Sequence, residues 1–302
     1  MFKTNRKSTF YQRVILLATV VLSAIPCTAP AAQKTFILTA AEVSGSGAAV
    51  LSLNFDLSAA QVTIVRSTDE KTIVRAEVVY SDTQREPTFT AGSDNTTFSA
   101  TFSSGLPASA ETDAPEQHWT IALGPSAVPT DLSLSCAAVT GAADFGGLLL
   151  RSWVVLCQKS TLTFDWSSPV PAMIQVAIVA ASASSLTLQH LGNARCDAAG
   201  VLCSTTEVRC NLSGSLSEGN HTMTIMMLGG NADLVIPASV AAAVTARSFF
   251  SRVSVAGDGW KQRYRLPMHQ GYVTDDYLSQ TTMVTFDMTA LGSQILITRE
   301  SR

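Results

Sequence analysis

The feature that most constrains this chain is a recurrence running from Asp131 to Ala194. It reads LSLSCAAVTGAADFGGLLLR, then SWVVLCQKSTLTFDWSSPVPAM, then IQVAIVAASASSLTLQHLGNA. Each piece holds an apolar segment, a run of small residues, a second apolar segment and a break. A period of about 20–22 residues predicts a coil of stacked strands, because each unit buries its apolar side only against its neighbours. Leu134, Leu156 and Ile178 are then expected to be vertical neighbours.

Alternation fixes the faces. Leu162, Phe164 and Trp166 share one parity, while Thr161, Thr163 and Asp165 share the other, so one side is core and the other solvent. The same reading places Ile174, Val176 and Ile178 inside. It also places Met223, Ile225 and Met227 inside, with Leu234 and Ile236 before the strand break at Pro237. Upstream, Leu51, Leu53, Phe55 and Leu57 form an apolar face, followed by strands at 61–66 and 72–80 around the polar turn Thr68–Lys71. Thr97–Phe102 and His118–Leu123 are further strands, separated by a loop from Leu106 to Gln117. Ala241–Phe250 reads as a helix, a strand or a short cap. Met283–Met288 and Gln294–Thr298 are expected to pair and close the end of the core.

Composition agrees with an all-β class. Charged residues are 14% of the 302 and apolar residues 46%, enough for a core but sparse for salt-bridged helices. Lys3, Arg6, Lys7 and Arg13, the apolar run Val14–Ile25 and Ala29-Pro30-Ala31 follow the order of an export signal over residues 1–31. The run is short for a bilayer core of about 30 Å, which argues against a membrane anchor. Ala24-Ile25-Pro26 matches lipidation at Cys27 poorly. No later segment is long and apolar enough for a transmembrane helix. Removing the four leader cations takes the formal charge from −3 to about −7, which disfavours nucleic acid as a partner.

Cys136 and Cys157, about one turn apart, are either a disulfide between stacked strands or two small buried residues in a ladder. Cys196 and Cys203 flank DAAGVL, where a local bridge is expected in an oxidising compartment. Cys210 reads as a buried thiol. No ligand spacing for a metal and no cofactor motif is present. The four histidines lack a nucleophile setting, and G-x-S-x-G, H-E-x-x-H, S-x-x-K and G-x-x-x-x-G-K are absent. His190 reads as structural. Asp144 and Asp165 are expected to stack, with too few oxygen ligands for Ca²⁺. Trp260, Lys261, Arg263, Tyr264 and Arg265 form the one basic aromatic cluster. Alternation would put its charges on one side, either guarding a strand edge or touching a glycan or anionic polymer.

Several stretches resemble the bacterial toast-rack proteins, an adhesin-like β-solenoid family with the repeat LDLSLGAGDLTLDLSGL. Leu132–Leu148 fits the repeat in length and apolar placement. Leu191–Ala194 matches its GLGNA turn, Met223–Val240 its strand–turn–strand–Pro unit, and Tyr272–Ile297 its closing segment. Phe55–Tyr80 and His118–Leu134 are similar to its N-terminal module. Ala137, Ala138, Gln158, Lys159, Ala181 and Ser182 stand where the family's turns carry Gly, so different corners are expected. The resemblance implies a right-handed parallel β-solenoid with an N-terminal strand-rich cap and C-terminal closing strands. It also implies a non-enzymatic role beside bacterial membranes.

Together these readings give an export signal (1–31), a β-rich module (32–117) and solenoid repeats with a cap (118–302). The expected product is a periplasmic or surface module engaging an envelope protein or glycan. The alternatives are a polysaccharide-active β-helix enzyme and a fibre subunit associating through solenoid ends.

Overall fold

A computed structural model describes residues 31–81, 86–94, 96–105 and 117–301. Residues 1–30, with the expected signal and Cys27, and residues 106–116 of the expected loop lie outside it. Among the described residues, eighteen strands join in one sheet.

The body is a stack of parallel rungs. In spatial order these are β5 (Thr97–Ser103) with β6 (Gln117–Leu123), β2 (Val50–Arg66), β7 (Thr130–Asp144), and β8 (Leu150–Gln158) with β9 (Thr161–Asp165). They continue with β10 (Val176–Ser182) and β11 (Ser185–Gln189), β12 (Ala198–Asn211) and β13 (Gly219–Ile236). Last come β18 (Thr282–Arg299), then β14 (Ala241–Phe249) with β15 (Arg252–Ala256). Each rung has two straight halves meeting at a corner.

All-β content and parallel stacking are as expected, but closure differs from the expected simple coil. β7 and β12 run unbroken through the corner, whereas β8/β9 and β10/β11 break there. The unbroken strands therefore link the halves, and β7, β8, β10, β12, β11 and β9 close a ring of six parallel strands.

The corner is built by one column of residues. Ala59, Ala138, Lys159, Ala183, Thr205, Gly229, Gly292 and Phe250 all have positive φ, and the ladder register stacks them. The turns lacking Gly thus keep left-handed geometry, contrary to the altered corners expected. A hydroxyl after the corner compensates. Ser160 Oγ donates to Gln158 O at 2.8 Å and accepts from Val139 N at 3.1 Å in the next rung. Ser184 Oγ donates to Ser182 O and accepts from Ser160 N, and Ser251 Oγ repeats both bonds with Phe249 O and Ser293 N. Buried polar groups are satisfied where the backbone breaks its regular ladder.

The core lies inside the corner. Leu51, Leu53, Phe55, Leu57, Leu162, Phe164, Trp166, Met223, Ile225, Met227, Leu234 and Ile236 are buried as their alternation predicts. Trp153 and Trp166 meet edge to face at 4.9 Å.

Three expectations need correcting. Leu134 is opposite Val155, Leu156 opposite Ala180, and Ile178 opposite Val154, so the named trio is not vertical. The cause is an uneven period, 21 residues between Cys136 and Cys157 but 24 between Leu156 and Ala180. Val176 and Ile178 face outward, 42% and 37% exposed, while Ala177 and Val179 are buried. Finally, β18 is one strand bent at Gly292, and it lies inside the stack between β13 and β14/β15. β2 is likewise interior, between β5/β6 and β7.

Antiparallel strands cover the ends. β3 (Thr72–Tyr80) pairs with β6 and with β1 (Ala32–Thr39), while β4 (Thr88–Ser93) pairs with β5. At the other end β17 (His269–Thr274) pairs with β14 and with β16 (Trp260–Leu266). Ala241–Phe249 is therefore strand. A short helix, α1 (Ala40–Gly45), starts from a Thr39–Glu42 capping box beside the first end.

Candidate interaction face

The two halves of each rung present different outer surfaces. On the second half the outward ladder runs Thr140, Thr161, Ser185, Glu207 and Asn231, a solvated pattern. On the first half one ladder runs Asp56, Ser135, Leu156, Ala180, Leu202, Met226, Thr289 and Arg247. Leu156 is 50% exposed, Leu202 43% and Met226 47%. The next ladder toward the corner carries Gln158, Ser182, Ser204 and Leu228, and Leu228 is 54% exposed. From Ser152 on β8 to Leu228 on β13, no outward residue of these first halves is charged.

This face holds a groove of about 690 Å³. Ala180 and Ser182 form its floor between the ridges of Leu156 and Leu202. Covering such side chains is favourable, at about 1.5–3 kcal/mol for each large one fully buried. Cys136, Cys157 and Cys203 lie beneath the same groove.

The sequence does carry a signal for this face, in the runs WVVL, VAIVAA and MTIMML. Both parities are apolar there, as in strands covered on both sides. Reading each run as a half-buried strand hides that signal, and for β10 it inverts the faces.

Among the described residues Cys136, Cys157, Cys196, Cys203 and Cys210 are free thiols. Cys136 and Cys157 are ladder partners, the placement either sequence reading requires. Burial pushes Cys136 up to about 12 and Cys157 to about 11, which removes nucleophilic character near neutrality. The local Cys196–Cys203 bridge is contradicted. DAAGVL is mostly strand, and Ala198 to Cys203 alone spans about 17 Å, beyond the roughly 7 Å reach of a disulfide. Burial also pushes Cys196 and Cys203 up to about 12. Cys210 is buried, with its thiol raised further.

The basic cluster occupies β16, which among the described residues pairs only with β17. A bulge at Arg263 breaks its alternation. Lys261 and Tyr264 share one face, Gln262 and Arg265 the other, so the three charges do not align. Lys261 Nζ lies 3.0 Å from Asp275 Oδ1, and Trp260 Nε1 donates to Ala256 O at 3.0 Å.

Asp144 and Asp165 stack as expected. Burial opposes the charge of Asp144, but bonds from Ser167 and the Gly146 amide outweigh it and hold the carboxyl below its usual range. Asp165 Oδ1 lies 2.6 Å from His190 Nδ1, a pairing the spacing did not reveal. His221 is buried between Cys196 O and Ser217 O, whereas His118 and His269 are exposed. Among the described residues no three His, Cys, Asp or Glu side chains converge as a metal site, and no helix is long and apolar enough to cross a membrane.

No protein-family model and no curated protein matches the chain. A solved structure from Clostridium sporogenes ATCC 15579, provisionally named a cell adhesion protein, is similar at 14% identity and a TM-score of 0.44. The likeness covers 89% of this chain and 100% of that one. A second, provisionally named an adhesin, from Bacteroides fragilis NCTC 9343, is similar at 11% identity and a TM-score of 0.33. It covers 88% of this chain and 97% of the other.

Proposed function

We propose that the chain is an exported, non-enzymatic interaction module of the cell envelope or surface. Its rungs form a right-handed parallel β-solenoid, and it acts by presenting one solenoid face to a protein partner. The observation that carries this reading is the uncharged apolar face from β8 to β13, on a chain whose other outward ladder is polar. An apolar patch of this extent on a water-facing sheet marks a surface that another surface covers. Division into a 32–117 module and a 118–302 repeat body belongs to the same proposal.

A photo-cross-linking residue placed at Leu202 tests it in the native envelope. Adducts with protein are expected from that position and not from Arg209, which faces outward on the other half of the same strand. Equal yields from the two positions would remove the support for this face.

A further inference from the structure

The interaction face names its own occupant. Its central ladder carries an acid near one end and a base near the other, with uncharged residues between and with Ser103 and His269 beyond them. In order it holds Asp56, Ser135, Leu156, Ala180, Leu202, Met226, Thr289 and Arg247. Turning this column end over end about its midpoint places unlike members opposite each other. Asp56 then meets Arg247, Ser135 meets Thr289, Leu156 meets Met226, and Leu202 meets the small Ala180. The axis runs along the strands, so the flanking ladders keep their sides, which brings Leu228 over Gln158 and Val154 over Thr224.

We propose that a second copy of this chain covers the face, related by a two-fold axis between Ala180 and Leu202. This rests on reading the face as an interaction surface and adds the partner. Three observations support it.

First, the pairing is complementary in size, because the ridge at Leu202 enters the groove floored by Ala180. Second, it is complementary in charge. Asp56 and Arg247 are both exposed, and neither has an ion-pair partner among the described residues. Sheets packed about 10 Å apart leave the distance that one Arg and one Asp side chain span together. Third, the area suffices. The exposed fractions of the apolar residues on the face, from Leu156 to Leu291 with Phe249, amount to roughly 700 Å² before its polar residues are counted, against about 800 Å² per partner in a standard interface. A two-fold contact must be self-complementary, and this column is.

Sedimentation equilibrium on the whole exported chain tests the proposal. A dimer with a dissociation constant below about 10 µM is expected. Leu202→Asp should weaken it at least about 100-fold, since it places two acids at the centre of a dry contact. Arg247→Asp should weaken it about 10-fold, and adding Asp56→Arg to that variant should restore it. The restoration reads the two-fold register directly, and unchanged melting of each variant shows that folding is intact. A monomer at 100 µM, on the order expected of non-associating proteins, overturns the second copy. So does a dimer indifferent to Leu202→Asp. A monomer that still cross-links other proteins through position 202 would leave the interaction face standing and discard only this partner. A monomer that cross-links nothing there would discard both.

Discussion

At the corner, single residues hold conformations that cost energy. Left-handed backbone costs an L-residue about 1–2 kcal/mol, and most for β-branched side chains. Thr205 sits there with φ 49°. Thr205→Gly should therefore raise unfolding stability by about 0.5–1 kcal/mol in chemical denaturation, strain relief exceeding the added chain entropy. Gly230 gives the opposite sign. A Cβ there would lie 2.1 Å from Thr206 O, so Gly230→Ala should cost about 3 kcal/mol. The corners were only half legible in the sequence. Gly229 and Gly292 announce theirs, but Lys159 and Ala183 are ordinary strand residues, and the stack forces φ upon them. The missed clue is the hydroxyl one position later, at Ser160, Ser184, Thr206 and Ser251, whose bonding makes a non-Gly corner tolerable.

Between elements, single side chains tie successive rungs. Asn193, in the turn between β11 and β12, donates to Trp166 O and accepts from Ser215 N, both at 2.8 Å. Asn193→Ala leaves both backbone groups unpaired and should cost about 2–3 kcal/mol in a thermal or urea melt. Arg299, at the end of β18, bonds Asp276 Oδ2 at 2.7 Å and Ala238 O at 2.8 Å. Burial disfavours the Asp276 charge, but bonds from Arg299 and Thr274 outweigh it and hold the carboxyl below its usual range. The folded state therefore binds this proton less readily than the unfolded one. The pair stabilises above the ordinary carboxylate range, and that contribution is lost as pH falls through the depressed value. Asp276→Asn should flatten the acid limb of a stability–pH curve while leaving its neutral-to-alkaline limb unchanged in shape. This ion pair is not legible in the sequence. The partner is 23 positions away, and neither alternation nor period joins it to Asp276.

For the whole molecule, two kinds of order were unequally visible. Stacking follows from the repeated apolar spacing, so the parallel body was readable from residues 131–194. Spatial order at the two ends was not. β2 and β18 lie next to the end rungs rather than forming them, and nothing in Val50–Arg66 or Thr282–Arg299 distinguishes an interior strand from a terminal one. The outer face was obscured by a different ambiguity, since an apolar run such as VAIVAA permits either parity. Export, which rests on residues 1–31, makes a prediction at this scale. Amino-terminal sequencing of protein recovered from the exported compartment should begin at Ala32, while replacing Leu16 and Leu17 with Asp should hold the chain inside the cell with its Met1 end intact.

The placement of β18 sets the order in which the protein can mature. The slot between β13 and β14 is filled by a strand that follows both in the chain, so that half of the body has no native form until β18 is made. Until β18 arrives, β13 and β14 have no strand between them to pair with. Loss of β18 would open a gap inside the stack, where loss of an end rung from a simple open-ended coil would merely shorten it.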